Sequence, residues 1–297
     1  MQVKGIFKTY SGGKQLWLLL CFLLAGAFLA ELCTVGINWI GGCFSPKWAT
    51  GTGHLRTAQG ISALCTFLLP AIGMGYCCSS DLKDYLSLRR VSNHLAWPLT
   101  AIGMALLSPL INLLSLWNQS LHLPTALAPV EQATRQWEEL AEQLTQALLS
   151  SDRIDILLAN LFVVAILAAV TEECFFRGTL QRILSHCQTN PHTVIWTAAI
   201  LFSAFHLQFY GFFPRMLLGA YFGYLLYWSR SIWLPIFAHF INNAIAVITL
   251  SNSSLQENPY LTGEIPTEEL LSYSLFALLS TGLFVVTNLF LRRQLSQ

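Results

Sequence analysis

Charge is what this chain has least of. Acidic and basic residues fill 10% of its 297 positions, where a soluble domain carries roughly 25%. With 54% hydrophobic residues and a mean hydropathy of +0.54, that shortage excludes an ordinary soluble globule and predicts an integral membrane protein. The formal net charge is +1, so no basic surface stands ready for nucleic acid and no such partner is expected. No long polar stretch separates off a soluble domain, so 1–297 reads as a single polytopic membrane domain. Metal-type cysteine spacing is also missing. The eight cysteines, at 21, 33, 43, 65, 77, 78, 174 and 187, lie in or beside apolar runs, where cysteine packs as a small hydrophobe. A Cys33–Cys43 bridge on the outer side is the weaker alternative, and Cys174 reads as core packing rather than as a nucleophile. There is no His-Glu-x-x-His, hence no zincin helix. Asp81, Asp84, Asp152 and Asp155 fall in loops or at a helix end, hence no intramembrane aspartate dyad. The run from Gly60 to Ser62 resembles a fragment of a serine-protease motif but lacks a matching histidine helix.

What is present is a series of apolar runs near the roughly 20 residues a membrane span needs. They fall at about 15–39, 60–78, 94–117, 156–184, 193–210, 212–229, 231–250 and 270–291. The predicted fold class is an all-α membrane protein, a bundle of about eight transmembrane helices. Lys4, Lys8 and Lys14 before an apolar core, with Ala25-Gly26-Ala27 beyond it, have the look of a signal peptide. The apolar run continues past Ala30 to Ile40, which favours a retained helix. Lysines and arginines divide unevenly between the two sides. Lys4, Lys8, Lys14, Lys83, Arg89, Arg90, Arg177, Arg182, Arg230, Arg292 and Arg293 fall on one side; Lys47, Arg56, Arg135, Arg153 and Arg215 fall on the other. The richer side is the cytoplasmic one by the positive-inside rule, with both termini there. A multi-pass protein of a bacterial inner membrane is expected. The polar segment 119–153 carries Val130, Trp137, Leu140, Leu144 and Leu148 at helical spacing, with Glu131, Glu138, Glu139 and Glu142 between them. It predicts an amphipathic helix on the outer surface or a solvated connector.

Polar residues inside the apolar runs are costly in hydrocarbon and mark functional sites by default. Three runs hold them. Glu172 and Glu173 lie in the fourth, His206 closes the Phe202–His206 segment of the fifth, and His239 and Asn243 share one helix face in the seventh. Glu173 and Arg177 are also four apart and can pair along their helix. Consecutive glutamates point about 100° apart, so the economical division makes Glu173 the clamp on Arg177 and Glu172 the residue facing the histidines. Glu172 with His206 could hold and deprotonate a water, while His239 and Asn243 donate hydrogen bonds to the oxyanion of a tetrahedral intermediate. A structural ion pair, a proton relay or histidines that merely pack are the plainer readings. His54, His186 and His192 read as loop residues, Glu31 as reaching the interface, and Asn242 as pointing away from the His239 face.

These three motifs, Glu172-Glu173-x-x-x-Arg177, Phe202-x-x-x-His206 and His239-x-x-x-Asn243, resemble those of the CPBP family of CaaX-processing and bacteriocin-processing (Abi-like) intramembrane proteases. The resemblance covers residues of about 160–250, in the family's order. It implies a membrane endopeptidase whose site opens to the cytosol, with Glu172 and His206 activating water and His239 and Asn243 forming the oxyanion hole. It also leaves zinc open as a cofactor, on Glu172, His206 and His239, although eukaryotic CaaX-cleaving members are described as glutamate-dependent. The implied partner is a membrane-associated peptide or protein, lipidated where the host prenylates proteins. A non-catalytic scaffold or immunity protein and a small proton-coupled transporter are the alternatives. The intact polar set speaks against the first, and the lack of paired broken helices against the second.

Overall fold

Apolar residues on every face decide the first element. Gly12–Phe44 forms a 33-residue helix, α1, with Trp17, Phe28 and Trp39 turned outward at 71%, 67% and 72% exposure. Side chains of that size, exposed along a whole helix, need a hydrocarbon surround. The computed structural model describes residues 4–45, 48, 51–151 and 153–296. Lys47 and Asp152 lie outside the described residues. After α1 come α2 (Thr52–Cys78), α3 (Ala96–Gln119), α4 (Ala128–Leu149) and α5 (Ile154–Cys187). Then follow α6 (Pro191–Ala204), α7 (Phe212–Ser229), α8 (Trp233–Ser251) and α9 (Thr267–Leu295). The described residues contain no strand.

Each expected span has its helix, but among the described residues only six, α1, α2, α3, α5, α8 and α9, are long and apolar enough to cross a membrane. The two exceptions have local causes. α6 has 14 residues and covers about 21 Å, short of a hydrocarbon core of about 30 Å. α7 has 18 residues and dilutes its apolar character with Arg215 and with tyrosines at 221, 224 and 227. α2 starts at Thr52, earlier than its apolar run, so Gly60 and Ser62 lie inside it and His54 sits in its first turn rather than in a loop. His186 likewise belongs to the last turn of α5 and His192 to the first turn of α6, where its Nδ1 meets the Tyr224 hydroxyl at 2.7 Å. All eight cysteines are free, so the Cys33–Cys43 bridge is not formed. Cys174 is buried in the main apolar core.

The connections gather at two ends. At one end Gly5 N–H donates to Tyr76 O, Ile232 N–H donates to Ser87 O, and Asn93 Nδ2 donates to Gln294 Oε1. At the other, Asn118 Nδ2 donates to Phe209 O, Tyr210 N–H donates to Glu138 Oε2, and Asn112 Nδ2 donates to Tyr260 O. The second end carries α4. Val130, Trp137, Leu140 and Leu144 of α4 are exposed, whereas Leu148 and Leu149 pack on Val247 of α8. An apolar stripe left open on a helix docked to a membrane bundle fits a bilayer interface better than water. Of the two readings of this segment, the surface helix is the one the packing favours.

Candidate active site

Glu172 and Glu173 close a regular stretch of α5, Ala168–Glu173, between two wider π-helical stretches, Leu161–Leu167 and Cys174–Gln181. Such widenings free carbonyls from the helical ladder and are common at functional sites. Two carbonyls of these stretches take side-chain donors. Thr179 Oγ1 donates to Cys174 O at 3.0 Å, and Asn243 Nδ2, reaching across from α8, donates to Val164 O at 3.0 Å.

Arg177 and Glu173 are 1% and 0% exposed and pair at 2.9 Å. A buried guanidinium persists only when its donors are spent. Arg177 Nη1 donates to Glu173 Oε1, Nη2 donates to Gly219 O at 3.0 Å, and the cation lies over the Phe202 ring at 4.4 Å. Gly219 makes this approach feasible. A Cβ there would stand 3.0 Å from Phe202 and 3.2 Å from Arg177 Nη2, so a larger residue would push the ring or the guanidinium aside.

Glu173 does more than clamp Arg177. Its Oε1 also accepts from His239 Nδ1 at 2.8 Å. The His239 ring is stacked on Phe222, with centroids 5.2 Å apart, and meets Phe202 edge-on. That pose turns the other ring nitrogen, Nε2, toward Glu172 Oε2 at 4.0 Å. The two adjacent carboxylates therefore address opposite nitrogens of one imidazole. The 100° offset separates them as expected, but Glu173 faces a histidine as well as Arg177. Glu172 Oε2 itself is buried and without a hydrogen-bond partner among the described residues.

His206 and Asn243 stand further out. His206 lies in the turn after α6, where its Nδ1 donates to Phe202 O at 2.9 Å and its ring meets Phe202 edge-on at 5.1 Å. No carboxylate among the described residues pairs with it within 4.0 Å. Phe202 thus contacts both histidines through its ring and holds His206 through its carbonyl as well. Asn243 takes a hydrogen bond on its Oδ1 from Asn242 Nδ2 at 3.2 Å. Asn242, expected to point away, instead holds its neighbour's amide. Among the described residues no three His, Cys, Asp or Glu side chains are grouped so as to hold a metal ion. Glu172, His206 and His239 therefore do not fit a zinc centre in this arrangement, chiefly because His206 stays with Phe202.

Several supporting residues carry no motif. Asn118 of α3 bonds both Phe209 O and Phe213 N–H, at 3.0 and 2.9 Å, which fixes the turn bearing His206. Glu138 of α4 takes the Tyr210 N–H at 3.0 Å; burial there pushes its carboxyl above the ordinary range. Arg215 of α7 donates through Nη2 to Gln208 Oε1 at 2.7 Å. Leu207, beside His206, has a left-handed backbone with φ of 55° and is exposed. The helical spacing of acidic residues on α4 is visible in the sequence, but nothing in it points to a turn 72 residues away.

Fold and cluster together define the class: an all-helical membrane protein with a carboxylate–imidazole–guanidinium centre inside its bundle. Residues 154–245 match the family described as type II CAAX prenyl endopeptidase, Rce1-like. Over 90 residues the chain is 28% identical to the uncharacterized protein YpbD of Bacillus subtilis (strain 168), a stretch covering 29% of this chain and 43% of that one. The match thus spans under half of that curated relative. No solved structure matches.

Proposed function

We propose that the chain is an intramembrane endopeptidase that cleaves a peptide bond with a water activated by Glu172. The observation that carries the reading is Glu172 Oε2, buried, unpartnered among the described residues and 4.0 Å from His239 Nε2. His239 Nδ1 is held by Glu173, which leaves Nε2 facing Glu172 and the reacting centre. A water donating to Glu172 Oε2 attacks the scissile carbonyl as the carboxylate takes its proton. His206 Nε2, free because Nδ1 is spent on Phe202 O, orients that water from the open side. The oxyanion receives His239 Nε2–H and the second amide hydrogen of Asn243, whose first is held by Val164 O. When the C–N bond breaks, Glu172 returns its proton to the leaving amine. Glu173 is a positioning residue in this scheme. The surrounding phenylalanines suit a peptide held in or against the bilayer, including one carrying a lipid chain, as the family name of the matched segment implies.

The test uses wild type and Glu172→Ala in detergent or nanodiscs on a quenched membrane-peptide library, with and without chelator. Cleavage should vanish in the variant while its thermal midpoint is retained, and chelator should not affect wild type. Equal cleavage by both proteins sinks the reading. Loss of activity in chelator, restored by zinc, sinks the metal-free mechanism alone.

A further inference from the structure

A groove between α7 and α9 holds polar atoms that the fold leaves unused. It has a volume of about 300 Å³, and its walls include Trp196 of α6, Leu217 of α7 and Val285 of α9. Its floor is polar. Tyr221 and Asn288 both line it and are only 5% and 7% exposed. Tyr221 Oη and Asn288 Oδ1 are buried without a hydrogen-bond partner among the described residues. The two side chains converge, since a Cβ on Gly103 would stand 2.6 Å from Tyr221 Oη and 3.6 Å from Asn288 Nδ2. Asn288 Nδ2 is spent on Phe284 O at 2.9 Å, which leaves the amide oxygen as the open acceptor. An unspent hydroxyl beside an unspent amide oxygen is costly inside a membrane bundle. One ligand group relieves both: a hydroxyl, which accepts from Tyr221 and donates to Asn288. One helical turn nearer the end of α9, Arg292 also lines the groove and is exposed, a guanidinium suited to a phosphate. Apolar walls, one polar step and a cation above it match an amphiphile with an acyl chain, a hydroxyl and an anionic head. The volume lies at the lower end for ligand sites, which favours one chain over two.

We propose that this groove binds a single-chain phospholipid, a lysophospholipid. The phosphate meets Arg292, the free glycerol hydroxyl sits between Tyr221 Oη and Asn288 Oδ1, and the acyl chain runs along Leu217 and Val285. This lipid site is independent of the peptidase reading. Phe222, beside Tyr221 on α7, stacks on the His239 ring, so the two sites share a helix and no residue. Loss of the paired hydroxyl corresponds to about tenfold in affinity, and loss of the guanidinium to roughly 10–100-fold.

The test follows lipid adducts by native mass spectrometry on delipidated protein in detergent. The probes are a monoacyl glycerol phosphate with a free hydroxyl, its methoxy analogue, the diacyl form, and glycerol phosphate without a chain. The hydroxyl lipid should bind once per protein, about tenfold better than the methoxy or diacyl form. Tyr221→Phe should erase the preference for hydroxyl over methoxy. Arg292→Gln should weaken binding at least tenfold, whereas Arg293→Gln, the same charge change outside the groove, should not. Val285→Trp, at an exposed wall position, should block the chain while the thermal midpoint holds. Equal binding of the hydroxyl and methoxy lipids to unmodified protein overturns the proposal, as does a preference that survives Tyr221→Phe. Undiminished binding to Val285→Trp, or equal binding of the diacyl form, does the same. Equal losses at Arg292 and Arg293 also overturn it, since the head would then feel only the basic end of the bundle. So does displacement of the lipid by an equal concentration of chainless glycerol phosphate, which marks a site for free phosphate.

Discussion

Replacing Glu173 by glutamine keeps the side chain's shape while removing one charge, and the surroundings set what that costs. Arg177 and Glu173 are both buried. The amide oxygen of glutamine still accepts from Arg177 Nη1 and His239 Nδ1, so the hydrogen bonds survive in outline. The guanidinium is nevertheless left in the bundle without its counter-ion. Breaking a buried pair from one side costs about 3–5 kcal/mol. At about 2–4 °C per kcal/mol for chains approaching this size, the thermal midpoint in detergent should fall by roughly 10 °C. Glu172→Gln supplies the contrast. Its side chain is 16% exposed and its Oε2 has no hydrogen bond to lose, so its stability should stay within about 1 kcal/mol of wild type. Turnover should disappear in both. The cause differs: Glu172→Gln removes the base, whereas Glu173→Gln removes the charge that holds His239 and Arg177. A double-mutant cycle with Arg177→Met closes the argument, because removing both charges should recover much of the lost stability. Equal midpoints for the two single variants would falsify the assignment of the clamp to Glu173.

Other outcomes follow from single contacts. Asn243→Ala should lower kcat by about 10²–10³ with little change in KM, as loss of one oxyanion donor does; Asn242→Ala, which loosens that amide from one step away, should cost less in the same assay. Glu131 is held down to about 2 by the His122 ring, Arg135 and the Leu123 N–H. Its folded value lies below its ordinary 4.5, so its contribution is full above that pH and is lost as pH falls toward 2; the Trp137 fluorescence of α4 should report that loss, and Glu131→Gln should abolish the titration. At Leu207, with φ of 55°, isoleucine should cost about 1–2 kcal/mol because branching at Cβ worsens the left-handed backbone, whereas glycine should be tolerated, as measured by chemical unfolding.

The order of the helices and the pairing of Glu173 with Arg177 are legible in the sequence because both are written in local patterns. Apolar runs mark spans, and a spacing of four marks a shared face. His239 illustrates where that stops. Its face is predictable from Asn243, but its ring angle is set by Phe222 of α7 and Phe202 of α6, and only that angle brings Glu173 to Nδ1. The π-helical stretches around Glu172 leave no mark in the composition, yet one of them presents Val164 O, which holds Asn243. Arg215 reads in the sequence as an outer-side charge and nothing more. Its bond to Gln208 in the His206 turn depends on that turn, between α6 and α7, being tied down by Asn118 and Glu138, contacts that join residues 72 to 95 positions apart.

The same tie sets two sequence expectations against each other. The charge bias puts α4 and its end of the bundle on the outer side, while the resemblance implies a site open to the cytosol. In the structure α4 covers the turn that bears His206, so the catalytic end and α4 face the same compartment. Charges inside the bundle do not orient loops, which removes Arg177 and Arg215 from the balance. Among the described residues, ten basic side chains then remain at the end of the termini (Lys4, Lys8, Lys14, Lys83, Arg89, Arg90, Arg182, Arg230, Arg292 and Arg293) and three at the end of α4 (Arg56, Arg135 and Arg153). The asymmetry survives; were its richer end the cytoplasmic one, as the positive-inside rule expects, the Glu172 site would open to the outer face. A Leu207→Cys variant reads this directly in the His206 turn, once the eight native cysteines are replaced by serine or alanine. A membrane-impermeant maleimide added to intact cells should label it, and should label a cysteine placed after Arg293 only in inverted vesicles. Such a result points to exported peptides as substrates. The opposite labelling pattern returns the site to the cytosol, where lipidated cytosolic tails become the substrates to try first.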